Sequence, residues 1–436
     1  MDKLTNLINF LWGGPLILFV VLTGIYFSFN IGFIQVTRFG TILKRMIGNI
    51  GKNNSFKTIT SVLGGTVGSG NIAGIATAIS VGGPGAIFWM WVVTLFSSAT
   101  KMVEVVLAVK NQQKDNKEKM GGAMYYIRSI KGKFGKILAI VYSIALLSYV
   151  IFNAGFIQVN TVSTSLENTF NMTPLCAGLL LMIISLLIVK GGLKRVSNVL
   201  SRLVPIMCIL YIVFSSIVIL INYKNILSSF GLIFKYAFTP APVVGGFAGT
   251  SVLSAISKGA SRGILANEAG TGTSASVHAT TDNKPLEQGL WGIIEVMFVS
   301  YVMCSITALL TLVTGAWNSG YDGAPMVLEA FNSVYGLFGK YILCMMICLF
   351  AYTTYIGFFF EYTTCIKYLF NKKWLKWFQW LYLVPLLIAV FMPIKFVWIV
   401  ADLIVGFVIV PNLIALLVLT PKFKKIFREE KDKIGL

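Results

Sequence analysis

The hydrophobic positions of this chain fall in recurring runs of about 20 residues, the length a helix needs to cross the hydrocarbon core of a bilayer. Expected spans lie near 10–31, 57–80, 86–109, 136–165, 173–190, 199–222, 247–281, 287–316, 338–369, 376–393 and 396–420. The pattern predicts an all-α polytopic membrane protein of about eleven helices. No long soluble insertion separates the runs, so residues 1–436 are expected to form one integral-membrane domain with a tail at 421–436. No small-residue cleavage site follows the first run, which argues against a removed signal peptide.

Glycine interrupts two of the runs. The stretch Leu63-Gly64-Gly65-Thr66-Val67-Gly68-Ser69-Gly70-Asn71 holds four glycines in the seven residues from 64 to 70. Each costs about 1 kcal/mol relative to Ala in a helix interior. In a membrane such a break is tolerated only where the freed backbone lines a cavity or is buried in protein. Gly270-Thr271-Gly272 echoes it, and both breaks are followed by a turn and a new span, through Gly82-Gly83-Pro84-Gly85 and through Lys284-Pro285 and Gly289. The broken spans are the second and the seventh, so they run in opposite directions through the bilayer. Matched broken helices in two inverted halves point to a transporter's binding site, while close packing through small residues is the alternative.

Composition agrees with membrane burial: 56% of residues are hydrophobic and 12% charged, against about 25% charged in soluble proteins. The net charge of +20 would suggest nucleic acid in a soluble chain. Here the excess sits in alternate loops. Arg38, Lys44, Arg45, Lys52 and Lys57 follow the first span, and Lys110, Lys114, Lys117, Lys119, Arg128, Lys131 and Lys133 follow the third. Lys190, Lys194 and Arg195, then Lys367, Lys372, Lys373 and Lys376, and finally the tail continue the series. The intervening loops at 80–86, 166–173 and 317–335 carry no base. The positive-inside rule then places the N-terminus outside and the C-terminus in the cytoplasm, with Lys224 and Lys235 a mild exception. The six Cys all fall in apolar runs, and the single His, His278, has no Cys or carboxylate cluster around it in sequence. Neither a disulfide framework nor a zinc site is expected.

At Thr66-Val67-Gly68-Ser69-Gly70-Asn71-Ile72-Ala73-Gly74 and Gly82-Gly83-Pro84-Gly85-Ala86-Ile87-Phe88-Trp89-Met90-Trp91 the chain closely resembles the alanine/glycine:cation symporter family. Gly121-Gly122-Ala123-Met124-Tyr125-Tyr126-Ile127, Ala237-Phe238-Thr239-Pro240, Gly245-Gly246-Phe247-Ala248-Gly249 and Asn267-Glu268-Ala269-Gly270-Thr271-Gly272 extend the match, which covers about residues 12 to 370. The resemblance implies a leucine-transporter-like fold with two inverted five-helix repeats, here 57–222 and 247–420. One extra helix at 10–31 precedes them. It also implies symport of a small neutral amino acid with Na⁺ across the plasma membrane.

The chemistry at the first break fits a zwitterion. Backbone N–H groups freed at 68–70 suit a carboxylate, aided by the helix dipole, and freed carbonyls suit Na⁺ or an ammonium. Thr66, Gly68, Ser69 and Gly70 are therefore substrate candidates. Asn71 offers a ligand or a helix cap. The resemblance further implies that the Gly64 and Val67 carbonyls hold Na⁺ with the hydroxyls of Thr353 and Thr354, oxygen ligands that a hard cation prefers. It places Gln158 on the helix facing the substrate, although a polar contact between helices is the alternative. Gly270, Thr271 and Gly272 are expected against the substrate's amino or side-chain end. Phe358 stands where the family has Trp in the substrate pocket, so alanine or glycine, or a larger neutral amino acid, is expected.

Charged residues within spans are functional candidates. Glu268 is expected to pair with Arg262 or Lys258 at an inner gate, or in a structural ion pair. Glu104 is three residues from Lys101 and is expected to pair with it. Glu295, Glu361 and Asp402 have no partner visible in sequence. No phosphate cradle or nucleophile triad is present, so the expected activity is secondary transport without cofactor, driven by Na⁺, with H⁺ coupling or a channel as the alternatives.

Overall fold

The computed structural model describes residues 10–49, 55–115, 118–370, 374–392 and 394–435. Lys52, Lys117, Lys372 and Lys373 lie outside them. The described chain is overwhelmingly helical, with one short antiparallel strand pair, Gln113–Asp115 with Glu118–Met120. Among the described residues, six helices are long and apolar enough to cross a membrane: Ala86–Lys110, Gly132–Phe170, Gly192–Ile221, Pro285–Val313, Phe338–Leu369 and Ile399–Val418. A seventh is the bent pair Ser55–Thr66 and Ser69–Gly82, whose halves meet at 66°. Three shorter apolar helices, Pro15–Asn30, Pro174–Val189 and Trp377–Phe391, lie where further spans are expected. The protein is a polytopic membrane protein.

The Ala86–Lys110 helix is the hub. Its apolar window is 83% buried inside the protein rather than turned to lipid, and it packs against the Pro15–Asn30, Val252–Asn267 and Pro285–Met297 helices. Small residues permit the close approach, as between membrane helices generally. A Cβ on Gly259 would lie 2.1 Å from the Ala86 carbonyl oxygen, and one on Gly263 3.1 Å from the Met90 side chain.

Three elements differ from the hydropathy pattern. The expected span at 247–281 begins as helix only at Val252, because residues 241–250 form a turn closed by Ala241–Thr250 and Val244–Phe247 bridges, with Gly245 and Gly249 at positive φ. Two helices, Ile226–Phe238 and Ala324–Tyr335, occupy stretches read as loops. Two long helices also carry π-helical turns, at Val150–Ile157 and Phe298–Cys304. Periodicity does not reveal these, since one extra residue per turn leaves an apolar run apolar.

The hub predicts a sharp packing test. Gly259→Val has no room without displacing backbone, so it should destabilise the protein by about 1–3 kcal/mol or more. Gly231→Val, where a Cβ meets nothing within 4 Å, should not. Thermal unfolding of the two variants in detergent measures the difference.

Candidate functional site

At the first break the helix Ser55–Thr66 gives way to extended backbone at Gly68 and a single 3₁₀ turn, Ser69–Asn71, before Ala73–Gly82 resumes. Asn71 sets this geometry. Its Oδ1 accepts the Gly68 N–H at 2.9 Å, its own N–H donates to the Gly68 carbonyl at 3.1 Å, and its Nδ2 lies 3.4 Å from Cys304 Sγ. Thr307 Oγ1 donates to the Asn71 carbonyl at 2.8 Å. Asn71 thus caps the turn from within, with its side chain buried.

A cavity of about 50 Å³ opens against this break, several times the room one water requires. Gly65, Thr66, Gly68, Gly70, Asn71 and Gly74 line it from the broken helix. Tyr149, Asn153, Ile157 and Gln158 line it from the helix that carries the first π turn. Arg262, Leu265, Ala266, Glu268, Thr354, Ala401 and Asp402 close it. Ser69 lies just behind, its Oγ donating to Gln158 Oε1 at 2.7 Å, so Gln158 is fixed by the break it faces.

The expected cation ligands separate. Thr354 Oγ1 points at the Val67 carbonyl, 3.4 Å away, and Thr354 lines the cavity. Thr353 does not: its hydroxyl donates to the Phe350 carbonyl at 3.0 Å and lies 3.2 Å from Met207 Sδ. Gly64 packs behind the cavity, beside Leu200 and Gly357.

The second break lies apart from that cavity. Val252–Asn267 ends at Glu268, in left-handed conformation at φ 53°, and Gly270 and Gly272 follow at φ 92° and 71°. Their backbone groups are already engaged. Gly272 N–H donates to Glu104 Oε1 at 3.0 Å, the Thr271 carbonyl accepts from Tyr142 OH at 2.8 Å, and the Gly270 carbonyl accepts from Asn412 Nδ2 at 2.9 Å. Gly270, Thr271 and Gly272 therefore contact buried polar side chains rather than the cavity; of this break, Glu268 alone lines it. Phe358 also stands behind the wall, stacked edge-on against Tyr149 with centroids 6.0 Å apart.

Of the expected ion pairs, Lys101 and Glu104 do meet, at 3.6 Å, while Glu268 makes other contacts. Glu268 Oε2 accepts from Thr273 Oγ1 at 2.5 Å, and Glu268 interacts electrostatically with Lys101. The acid that interacts with Arg262 and Lys258 is Asp402, on the Ile394–Val418 helix. Ser254 Oγ donates to the Val81 carbonyl at 3.2 Å, and Lys258 packs against Gly82. Lys258 thus lies next to the 82–85 turn, while Arg262, one helical turn further on, lines the cavity.

The sodium:alanine symporter family model matches residues 1–434. The chain belongs to that family. Among its relatives, an uncharacterized transporter of Haemophilus influenzae is 35% identical over 97% of this chain and 94% of its own length. The sodium/alanine symporter AgcS of Methanococcus maripaludis is 32% identical over 96% of this chain and 94% of its own length. The probable sodium/glutamine symporter GlnT of Bacillus subtilis is 32% identical over 97% of this chain and 88% of its own length. Membership in this symporter family makes the protein an amino acid transporter.

Residues that sequence reasoning passed over are Tyr149 and Asn153, which line the cavity; Asp402, an in-span acid with no partner visible in sequence, closes it. An amide in an apolar run was a signal for Asn153, as for Gln158; Tyr149 lies within ordinary apolar periodicity and gave none.

Asn71→Ala should leave the buried Gly68 N–H unpaired and lower stability by about 1–3 kcal/mol. Asn71→Asp keeps the acceptor and should retain more of it. Thermal unfolding of both variants reads the ordering.

Proposed function

We propose that the protein is a secondary active transporter that carries a small neutral amino acid into the cell together with Na⁺, by alternating access. The observation that supports this best is the helix break at 67–71 facing a cavity with Gln158 on one side and the Thr354 hydroxyl on the other. In this reading the substrate carboxylate meets backbone N–H groups around Gly70, at the start of the Ala73–Gly82 helix, where the dipole favours an anion. The ammonium meets the acidic wall of Glu268 and Asp402, where Arg262 interacts with Asp402. Na⁺ sits where the Val67 carbonyl and Thr354 Oγ1 converge, an all-oxygen environment suited to a hard cation.

Eleven spans in two inverted five-helix repeats, 57–222 and 247–420, after an extra helix at 10–31, would bring the two broken helices together in the middle of the membrane. Loop charge supports an outer N-terminus and a cytoplasmic C-terminus in the plasma membrane. Alanine and glycine suit the small cavity. The relatives named for alanine and for glutamine are each 32% identical, so a larger neutral amino acid stays within the proposal. Phe358 would set the size limit indirectly, by holding Tyr149 in the wall.

Purified protein in proteoliposomes should take up labelled alanine saturably, faster under an inward Na⁺ gradient than in choline, and unlabelled glycine should compete. Uptake indifferent to Na⁺ but driven by a proton gradient would overturn the Na⁺ assignment, and non-saturating flux would overturn the transporter itself. Thr354→Val should raise the Na⁺ concentration for half-maximal uptake by about tenfold, equivalent to roughly 1.4 kcal/mol. Thr353→Val should change it little, because its hydroxyl is directed at Phe350 and Met207.

A further inference from the structure

Beneath the second break lies a cluster of ionisable side chains of which the proposed transport site uses only Glu268. Lys101, fully buried, donates to the Glu268 carbonyl and to Ser274 Oγ, both at 2.9 Å. Its Nζ lies 3.6 Å from Glu104 Oε2 and 3.9 Å from Glu295 Oε1, and the Glu268 carboxylate completes the set of acids around it. Glu104 and Glu295 have no exposed side-chain surface, and Glu268 is 4% exposed.

His278 does not supply a second positive charge. Its Nε2 is 2.9 Å from Glu295 Oε2 and its Nδ1 is 2.7 Å from Gln288 Nε2. Gln288 Oε1 accepts from Asn283 Nδ2 at 2.8 Å, which turns the Gln288 amide nitrogen towards the ring. Nδ1 is then an acceptor and Nε2 carries the proton, the pattern of a neutral imidazole. The other titratable groups facing the cluster are Glu361 and Cys365 on the Phe359–Leu369 helix and the hydroxyls of Tyr126, Tyr142 and Tyr149. On the cavity side Glu268 also faces Arg262 and Asp402, a cation and an acid that interact with each other.

One ammonium therefore faces three carboxylates, two negative charges in excess in a site closed to water on most sides. An uncompensated buried charge costs far more than a protein's net stability, and such a group neutralises instead. Hydrogen bonds mark where ionisation is supported: Glu104 Oε1 takes Gly272 N–H and Asn412 Nδ2, and Glu268 Oε2 takes Thr273 Oγ1. By contrast Glu104 Oε2 and Glu295 Oε1 are buried with no hydrogen-bond partner among the described residues, and both point at Lys101 from beyond hydrogen-bond reach.

We propose that Glu104, Glu268 and Glu295, gathered around Lys101, form a proton-binding site that holds at least one proton while the second break is packed as here. Glu268 is the member that exchanges it, since it alone of the three also lines the cavity, beside Tyr149. The proton fastens residues 268–274 to the hub helix; its loss sets Glu268 against Glu104 and Glu295 and loosens the break. The site shares Glu268 with the transport reading but does not depend on which amino acid or cation is carried, and its test is made without either result of the uptake experiment.

Infrared difference spectroscopy of the full-length protein in lipid nanodiscs, without amino acid, tests this. At neutral pH the wild type should show a protonated-carboxyl stretch that shifts in D₂O. Glu104→Gln, Glu268→Gln or Glu295→Gln should reduce it, whereas Glu361→Gln should leave that component in place. Lys101→Met should enlarge it by about one carboxyl group, a proton replacing the lost ammonium, and Lys101→Arg should restore the wild-type band. A wild-type spectrum without the stretch, or a stretch unchanged by all three glutamines at the cluster, would overturn the proposal. The near-isosteric glutamines keep the test decisive even if Lys101→Met fails to fold.

Discussion

The position of the second helix break depends on Lys101. This side chain leaves the middle of the most buried helix and donates to the Glu268 carbonyl and to Ser274 Oγ, one on each side of the turn. Three residues further along, Glu104 accepts the Gly272 N–H. Asn412, from the far end of the chain, donates to both Glu104 and the Gly270 carbonyl. A helix broken inside a membrane must satisfy the backbone groups it frees. Here the carbonyls of 268, 270 and 271 and the N–H of 272 are met by four side chains from three other elements. The close glycine contacts between the hub and its neighbours bring those elements near enough.

The first break resolves the same constraint differently. Asn71 satisfies Gly68 locally, and Gln158 takes the Ser69 hydroxyl, but the strand of backbone between them stays open to the cavity. The two breaks look equivalent in sequence, a G-x-G followed by a turn and a span. They are not equivalent in chemistry. One presents backbone to a cavity, and the other contributes Glu268 to that cavity while the rest of its polar groups hold the break in place. The two π turns fit this division, because both lie beside the first break: one leads into Gln158, the other ends at Cys304 against Asn71. An extra residue per turn re-aims side chains without ending a helix, which suits a site built on rigid elements.

These differences explain how much was legible beforehand. Helix positions were readable because hydropathy is a local property, and the first break was readable because glycine is costly in a helix. Gln158 stood out as an amide in an apolar run. The pairing of Lys101 with the second break joins residues 167 positions apart and left only a local trace, the Lys101–Glu104 spacing. Glu268 was matched with its sequence neighbours Arg262 and Lys258, whereas the left-handed backbone at 268 marks a turn whose carboxylate goes to Thr273. Asp402 takes the place of that partner from 140 residues away. Charge pairing across a membrane bundle follows topology, which no local pattern encodes.

Glycine itself shows the distinction most sharply. At 270 and 272 the residue is required by conformation, since φ is 92° and 71° and other side chains rarely adopt those values. Gly68 is different. Its φ of −119° and ψ of −170° are ordinary extended backbone, open to any residue. What excludes a side chain there is Thr354: a Cβ at 68 would lie 2.6 Å from its Oγ1. That is the same hydroxyl that points at the Val67 carbonyl. The glycine that looked like a helix breaker is thus needed for an approach, letting an oxygen from a helix nearly 290 residues later reach the unwound backbone. Helix breaking alone would be satisfied by several residue types at 68; bringing Thr354 against the break is satisfied by one.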